Sequence, residues 1–126
     1  MNKAILVLVL MILGHLLADY PLQGWLAQSK QKSYWENQDK KYKHDYIPAL
    51  IGHATMWSII VFAPIMYFSW DKLGFWWLLL PANIFLHYFI DNEKANKKSI
   101  NLWQDQLWHL YQIIITWIIC LVSVGV

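Results

Sequence analysis

"AILVLVLMILGHLLAD" (residues 4–19) is apolar throughout except at its end, where His15 and Asp19 stand one helical turn apart. A helix crosses a bilayer core with about 20 mostly apolar residues, and this run continues through "YPLQ" to nearly that length. Three further runs follow, so we delimit spans at roughly 4–22, 47–69, 74–91 and 104–125. The reading predicts an all-α fold: one domain over 1–126, an integral membrane antiparallel four-helix bundle with short up-down-up-down connections. Lys3 and the first run imitate a secretory signal. No small-x-small cleavage site follows, and we expect a retained first helix.

Composition agrees. Of 126 residues, 58% are hydrophobic and 14% charged, against about 25% charged in soluble domains; so few charges cannot cover a water-facing surface. A net charge of +2 gives no footprint for nucleic acid, and the single Cys120 excludes an intrachain disulfide. Polar loop 27–46 contains "QSKQKSYWENQDKKYKHD" and predicts a surface loop with a short interfacial helix. "SWDKLGF" (69–75) predicts a tight turn, and "NEKANKKSIN" (92–101) joins the last two spans. Trp25, Trp35, Trp70, Trp76, Trp77 and Trp103 fall near span ends, as an aromatic belt requires. Pro48 suits a first helical turn, while Pro64 and Pro81 predict kinks that neighbouring helices satisfy.

Lysines set the expected orientation. Lys30, Lys32, Lys40, Lys41 and Lys43 occupy the first loop and Lys94, Lys97 and Lys98 the third, leaving only Lys3 and Lys72 for the other side. The positive-inside rule then makes this a multi-pass protein of the inner (cytoplasmic) membrane, with lysine-rich loops cytoplasmic and both termini periplasmic.

That topology gives the polar residues a common address. His15 and Asp19 end span one, His53 lies early in span two, His87 and Asp91 end span three, and Asp105 and His109 begin span four. Residues four apart share a helix face, so the pairs can point inward and form a His/Asp layer near one membrane face. Asn83 and Gln112 continue the stripes with Thr116, Asp45 lies two turns before His53, and Asn83, Gln112 and Asp45 are expected to support the ligands from behind. Spans one and three also echo each other, "ILGHLLAD" against "IFLHYFID".

Each residue alone has a plainer reading. Asp91 could be hydrated, Asp105 could serve the helix dipole, His53 could be a hydrogen-bonded core histidine, and His44 is expected to be solvated. The aromatic and Leu/Ile stripes read as packing. Together, however, three carboxylates and four histidines with no lysine or arginine in the span cores need compensation, because an ionised carboxylate in low dielectric is costly unless paired. Protonation, imidazolium partners, water or a metal cation would provide it. The N/O donor set suits Zn²⁺, with Mn²⁺ or Fe as alternatives, as one or two divalent ions.

At "GHLLADYPLQGWLAQSKQKS" (14–33), "ALIGHATMW" (49–57), "LHYFID" (86–91) and "DQLWHL" (105–110), the chain resembles domain-of-unknown-function family 3307, small bacterial and phage membrane proteins. That resemblance implies no reaction. A fainter one extends to membrane-bound metal-dependent hydrolases and, through them, to zinc phospholipase C and P1-type nucleases, whose helical His-x-x-x-Asp and His-x-x-x-Glu pairs hold zinc. It implies His15, Asp19, His53, His87, Asp91, Asp105 and His109 as ligands; this chain is shorter and has fewer histidines than those enzymes.

The leading expectation is therefore a membrane-embedded metal-dependent hydrolase of a phosphoester such as a lipid headgroup, with Asp19 or Asp105 as the catalytic general base. One alternative is a non-enzymatic membrane protein that binds a membrane partner through, or is held together by, the layer. The other is a metal or proton conduit, which would need a homo-oligomer because the opposite half of each span is apolar.

Overall fold

The computed structural model describes residues 2–69, 74 and 76–124. Trp70, Lys72, most of the 69–75 turn, Val126 and the side chain of Trp76 lie outside the described residues. Among the described residues the fold is all-α, without strands. Six α-helices follow in order: α1 (Lys3–Asp19), α2 (Leu26–Ser29), α3 (Lys32–Trp35), α4 (Tyr46–Ser69), α5 (Trp76–Asn92) and α6 (Leu102–Val124). A 3₁₀ turn (Lys40–Tyr42) precedes α4, and a π-helical turn (Glu93–Lys97) follows α5.

Local chemistry sets these limits. Asn2 caps α1, its Oδ1 accepting from Ala4 N at 3.1 Å. The helix stops before Pro21, because proline disfavours helical geometry in the preceding residue; Tyr20 has left it at φ −112°, ψ −83°. Asn101 and Gln104 form a reciprocal cap at the start of α6: Gln104 N donates to Asn101 Oδ1 (3.0 Å) and Asn101 N to Gln104 Oε1 (2.9 Å). The Asn-x-x-Gln spacing thus satisfies two backbone donors that have no partner within the helix. Lys98, at φ +54°, turns the chain out of the π-helical segment.

The four long helices contact in a ring, α1 on α4, α4 on α5, α5 on α6 and α6 on α1. Each pair runs antiparallel: Lys3 meets Phe68 O while His15 meets Trp57, and Ala4 O meets Trp117 while His15 meets Gln106. Likewise Trp57 meets His87 while His53 meets Asp91, and Asn83 and Lys94 meet Gln112 and Asp105. Val7, Met11, Val61, Phe62, Ile65, Ile113 and Cys120 fill the centre away from the polar layer. Among the described residues, two helical segments, within Lys40–Ser69 and Leu102–Ser123, are long and apolar enough to cross a membrane.

α1 and α4 approach closely at Gly14. A Cβ there would meet Ile60 O at 3.2 Å, and Ile60 is the residue whose carbonyl Pro64 leaves without its α-helical donor. A glycine on one helix therefore packs against the carbonyl freed by a proline on the other. This contact fixes α1 beside α4 one residue before His15.

Candidate functional site

The helix ends deliver the expected residues to one layer. His53, His87 and His109 are fully buried, and His15, Asp91 and Asp105 nearly so; Asp19 is partly exposed. The imidazoles gather around Trp57. His87 stacks on its indole at 4.1 Å between centroids and on His109 at 4.3 Å, and His15 meets both Trp57 and His109 edgewise or tilted.

Hydrogen bonding separates the seven into two kinds. Trp57 Nε1 donates to His15 Nδ1 at 2.9 Å, so that nitrogen carries a lone pair and its 3.4 Å approach to Asp19 Oδ2 is not a hydrogen bond. His15 Nε2 then donates to Gln106 Oε1 at 3.2 Å, and Gln106 Nε2 donates to Asp105 Oδ2 at 3.0 Å and Asp19 Oδ2 at 3.5 Å. A directed chain thus runs from α4 through α1 to α6 and orients two carboxylates. Both nitrogens of His15 are occupied within it.

His87 and His109 differ: neither Nδ1 nor Nε2 of either ring has a hydrogen-bond partner, and Asp19 Oδ1, Asp105 Oδ1 and His53 Nδ1 are likewise buried without one. The nearest carboxylate oxygens stand too far off for charge-assisted bonds, which run about 2.7–2.9 Å. His109 Nε2 lies 3.3 Å from Asp91 Oδ1 and 3.4 Å from Asp105 Oδ1, and His87 Nε2 3.7 Å from Asp91 Oδ1; His53 Nε2, which accepts from Gln23 Nε2 at 3.2 Å, lies 3.2 Å from Asp91 Oδ2 and 3.4 Å from Asp19 Oδ1. Tetrahedral ligands about 2.0–2.1 Å from a zinc ion are themselves roughly 3.3 Å apart. Two triads have donor atoms mutually within 4.8 Å, Asp19/His53/His87 and His87/Asp91/His109, with His87 common to both.

The main departure from expectation is the charge balance. No lysine lies within the spans, yet two lysines of the flanking segments reach the layer. Lys30 Nζ is 2.5 Å from Asp91 Oδ2, both side chains buried, and Lys94 Nζ is 2.6 Å from Asp105 Oδ2. Asn96 positions Lys30: its Nδ2 donates to Lys30 O (3.2 Å) and its Oδ1 accepts from Lys32 N (2.6 Å). It thereby ties the polar segment, which contains two short helices and a 3₁₀ turn, to the end of α5. Sequence periodicity could not reveal Lys30, Lys94 or Gln106, because their partners are 61, 11 and 87 to 91 positions away.

The residues expected to support the ligands sit deeper. Asn83 Oδ1 accepts from Gln112 Nε2 (2.9 Å) and Thr116 Oγ1 (3.0 Å), and Gln112 Nε2 also donates to Asn83 O (2.8 Å). They bond to one another rather than to the histidine nitrogens. Asp45 stands just ahead of α4 and, among the described residues, forms no side-chain hydrogen bond or ion pair. His44 is exposed.

Two adjoining cavities open the layer to the outside. The smaller, about 50 Å³, touches Asp19, Asp91 and Gln106; the larger, about 200 Å³, is walled by Ala27, Gln31 and Ala95. Gln23, Lys30, Asp91 and Lys94 line both.

No curated protein and no solved structure matches the chain. The family model described as "Protein of unknown function (DUF3307)" matches residues 7–125. Nearly the whole chain, including every residue of the layer, falls within that match, and the protein belongs to the DUF3307 family.

Proposed function

We propose that this chain is an integral protein of the inner membrane, its four long helices an antiparallel bundle with periplasmic termini and cytoplasmic lysine-rich loops. In this reading its His/Asp layer holds one or two divalent ions, zinc foremost with manganese or iron as alternatives, and hydrolyses a phosphoester at the cytoplasmic face. One observation carries the metal: His87 and His109 are fully buried with all four ring nitrogens unpartnered. Leaving a buried polar group unsatisfied costs about 1–3 kcal/mol, and a cation would satisfy the lone-pair nitrogen that each neutral ring presents together with the unpartnered Asp19 Oδ1.

His53, His87, Asp91 and His109 would hold the metal, with Asp19 beside them and His15 and Gln106 orienting carboxylates from outside the set. A divalent ion there supplies a water nucleophile near neutral pH and offsets charge developing on phosphate oxygens. Asp19 is the better general base of the two candidates. Each carboxylate keeps an unpartnered Oδ1 and accepts from Gln106 at Oδ2, but Asp105 Oδ2 is also held by the Lys94 ammonium at 2.6 Å, and among the described residues no lysine pairs with Asp19.

The two lysine–aspartate pairs favour a second reading, a non-enzymatic bundle whose polar layer joins helices. Turnover separates the two. Protein loaded with Zn²⁺ or Mn²⁺ is assayed on p-nitrophenyl phosphate and a short-chain phosphatidic acid. The hydrolase reading expects chelator-sensitive release of phosphate that falls about 100-fold in Asp19→Asn, the usual scale for losing a general base. Metal-loaded protein without turnover on either substrate would leave the second reading.

A further inference from the structure

We infer that Lys30 and Lys94 form a recognition site for a terminal phosphate group at the mouth of the layer. The inference rests on the metal-centre reading and extends it, from the ions to the part of the substrate that approaches them. Polar access to the layer runs through the two adjoining cavities, and both are bordered by these two ammonium groups together with Gln23. The larger, at about 200 Å³, adds the Gln31 amide and is widened by Ala27 and Ala95, so a phosphate group can enter between the lysines.

Charge decides what enters. With neutral imidazoles, Asp19, Asp91 and Asp105 against Lys30 and Lys94 leave one unit of negative charge, which repels an anion. One divalent ion turns that into one positive unit and two ions into three. Metal also competes for the Asp91 oxygens that hold Lys30 Nζ, and each ammonium has three donors, so both lysines keep donors for an anion. A phosphate dianion brings the two-ion layer to one positive unit where a monoanion leaves two, and terminal phosphates carry the double charge while diesters do not. Tyr20 and Leu102, both exposed, flank the smaller opening and give an attached chain an apolar surface.

The test is binding by the full-length protein in lipid nanodiscs, loaded with Zn²⁺ and compared with chelator-treated protein. Probes are inorganic phosphate, short-chain phosphatidic acid and short-chain phosphatidylcholine, read by calorimetry and phosphorus NMR. Expected are saturable, metal-dependent binding of the two terminal phosphates, none of phosphatidylcholine, and about tenfold weaker binding in Lys94→Gln, the scale of one charge-assisted hydrogen bond. Lys94 is the partly exposed member of the pair, and Lys30→Arg, which keeps the charge, should bind within about threefold of wild type. Tighter binding of phosphatidic acid than of inorganic phosphate assigns a lipid ligand; equal binding assigns a soluble phosphate ester. Phosphate binding unchanged in Lys94→Gln, or phosphatidylcholine bound equally well, overturns the inference. Stoichiometric metal without phosphate binding removes it and leaves the metal centre; no metal uptake removes both.

Discussion

Lys30→Met isolates the charge balance of the layer. Methionine keeps most of the apolar stem of lysine and removes only the ammonium that lies 2.5 Å from Asp91 Oδ2. Both partners are nearly enclosed, with side chains 10% and 3% exposed, so the pair belongs to the buried class. Removing one partner of such a pair costs about 3–5 kcal/mol, because it strands a charge in low dielectric. At roughly 3–5 °C per kcal/mol for a chain of this size, melting should fall by about 10–20 °C in chelator. Divalent metal should return most of that loss, since a cation on Asp91 replaces the missing ammonium and a ligand bound only by the folded state stabilises it. The assay is tryptophan fluorescence during heating in detergent, with and without Zn²⁺. A variant that melts within about 2 °C of wild type in chelator would refute the buried pair. Destabilisation that metal does not relieve would refute the shared role of Asp91.

Other consequences are more local. Gly14→Val should cost about 1–3 kcal/mol by overpacking, because its Cβ meets the rigid Ile60 carbonyl at 3.2 Å; melting of the variant in detergent checks this. Asn83→Leu should lower stability by about 2–4 kcal/mol, stranding the Gln112 and Thr116 donors at once, while leaving metal content unchanged; metal loss in this variant would mean that Asn83 acts on the layer directly. Lys97 and then Ser99 bond the Glu93 carboxylate and hold its pKa below the usual range. Their contribution to the π-helical turn is therefore full above the ordinary glutamate pKa and lost as pH falls through the depressed one, which hydrogen exchange at Ser99 N, bonded to Glu93 O at 3.0 Å, will register. Reporters should read periplasmic after Val126 and cytoplasmic at Lys41 or Lys97; a cytoplasmic C-terminus would move the layer to the other leaflet.

What the sequence discloses and what it hides follow from the range of each interaction. The i, i+4 pairs His15/Asp19, His87/Asp91 and Asp105/His109 lie on single helices, so their faces could be read from spacing. Their meeting in one layer required only that the helices alternate in direction. Helix limits were legible to within a few residues because apolar runs mark them locally; α1 ends at Asp19 rather than residue 22 because Pro21 stops it, and the Asn101/Gln104 cap starts α6 at Leu102 rather than residue 104. Lys30 and Lys94 were invisible as part of the layer for the opposite reason. A lysine in a polar loop looks solvated until the loop folds back, and Asn96, which holds it there, bonds across 64 to 66 positions. The distinction between His15 and the other histidines was equally hidden, since it depends on Trp57 and Gln106 from two other helices.

The central claim is that the layer holds metal, and the most direct measurement is elemental analysis of detergent-purified protein prepared without chelator, beside His87→Ala/Asp91→Ala. One or two equivalents of a divalent ion, zinc foremost, are expected in the wild type, with loss of at least one equivalent in the double variant, because His87 belongs to both triads. Wild-type protein with no stoichiometric metal, and no rise in melting temperature on adding Zn²⁺, Mn²⁺ or Fe²⁺, would contradict it.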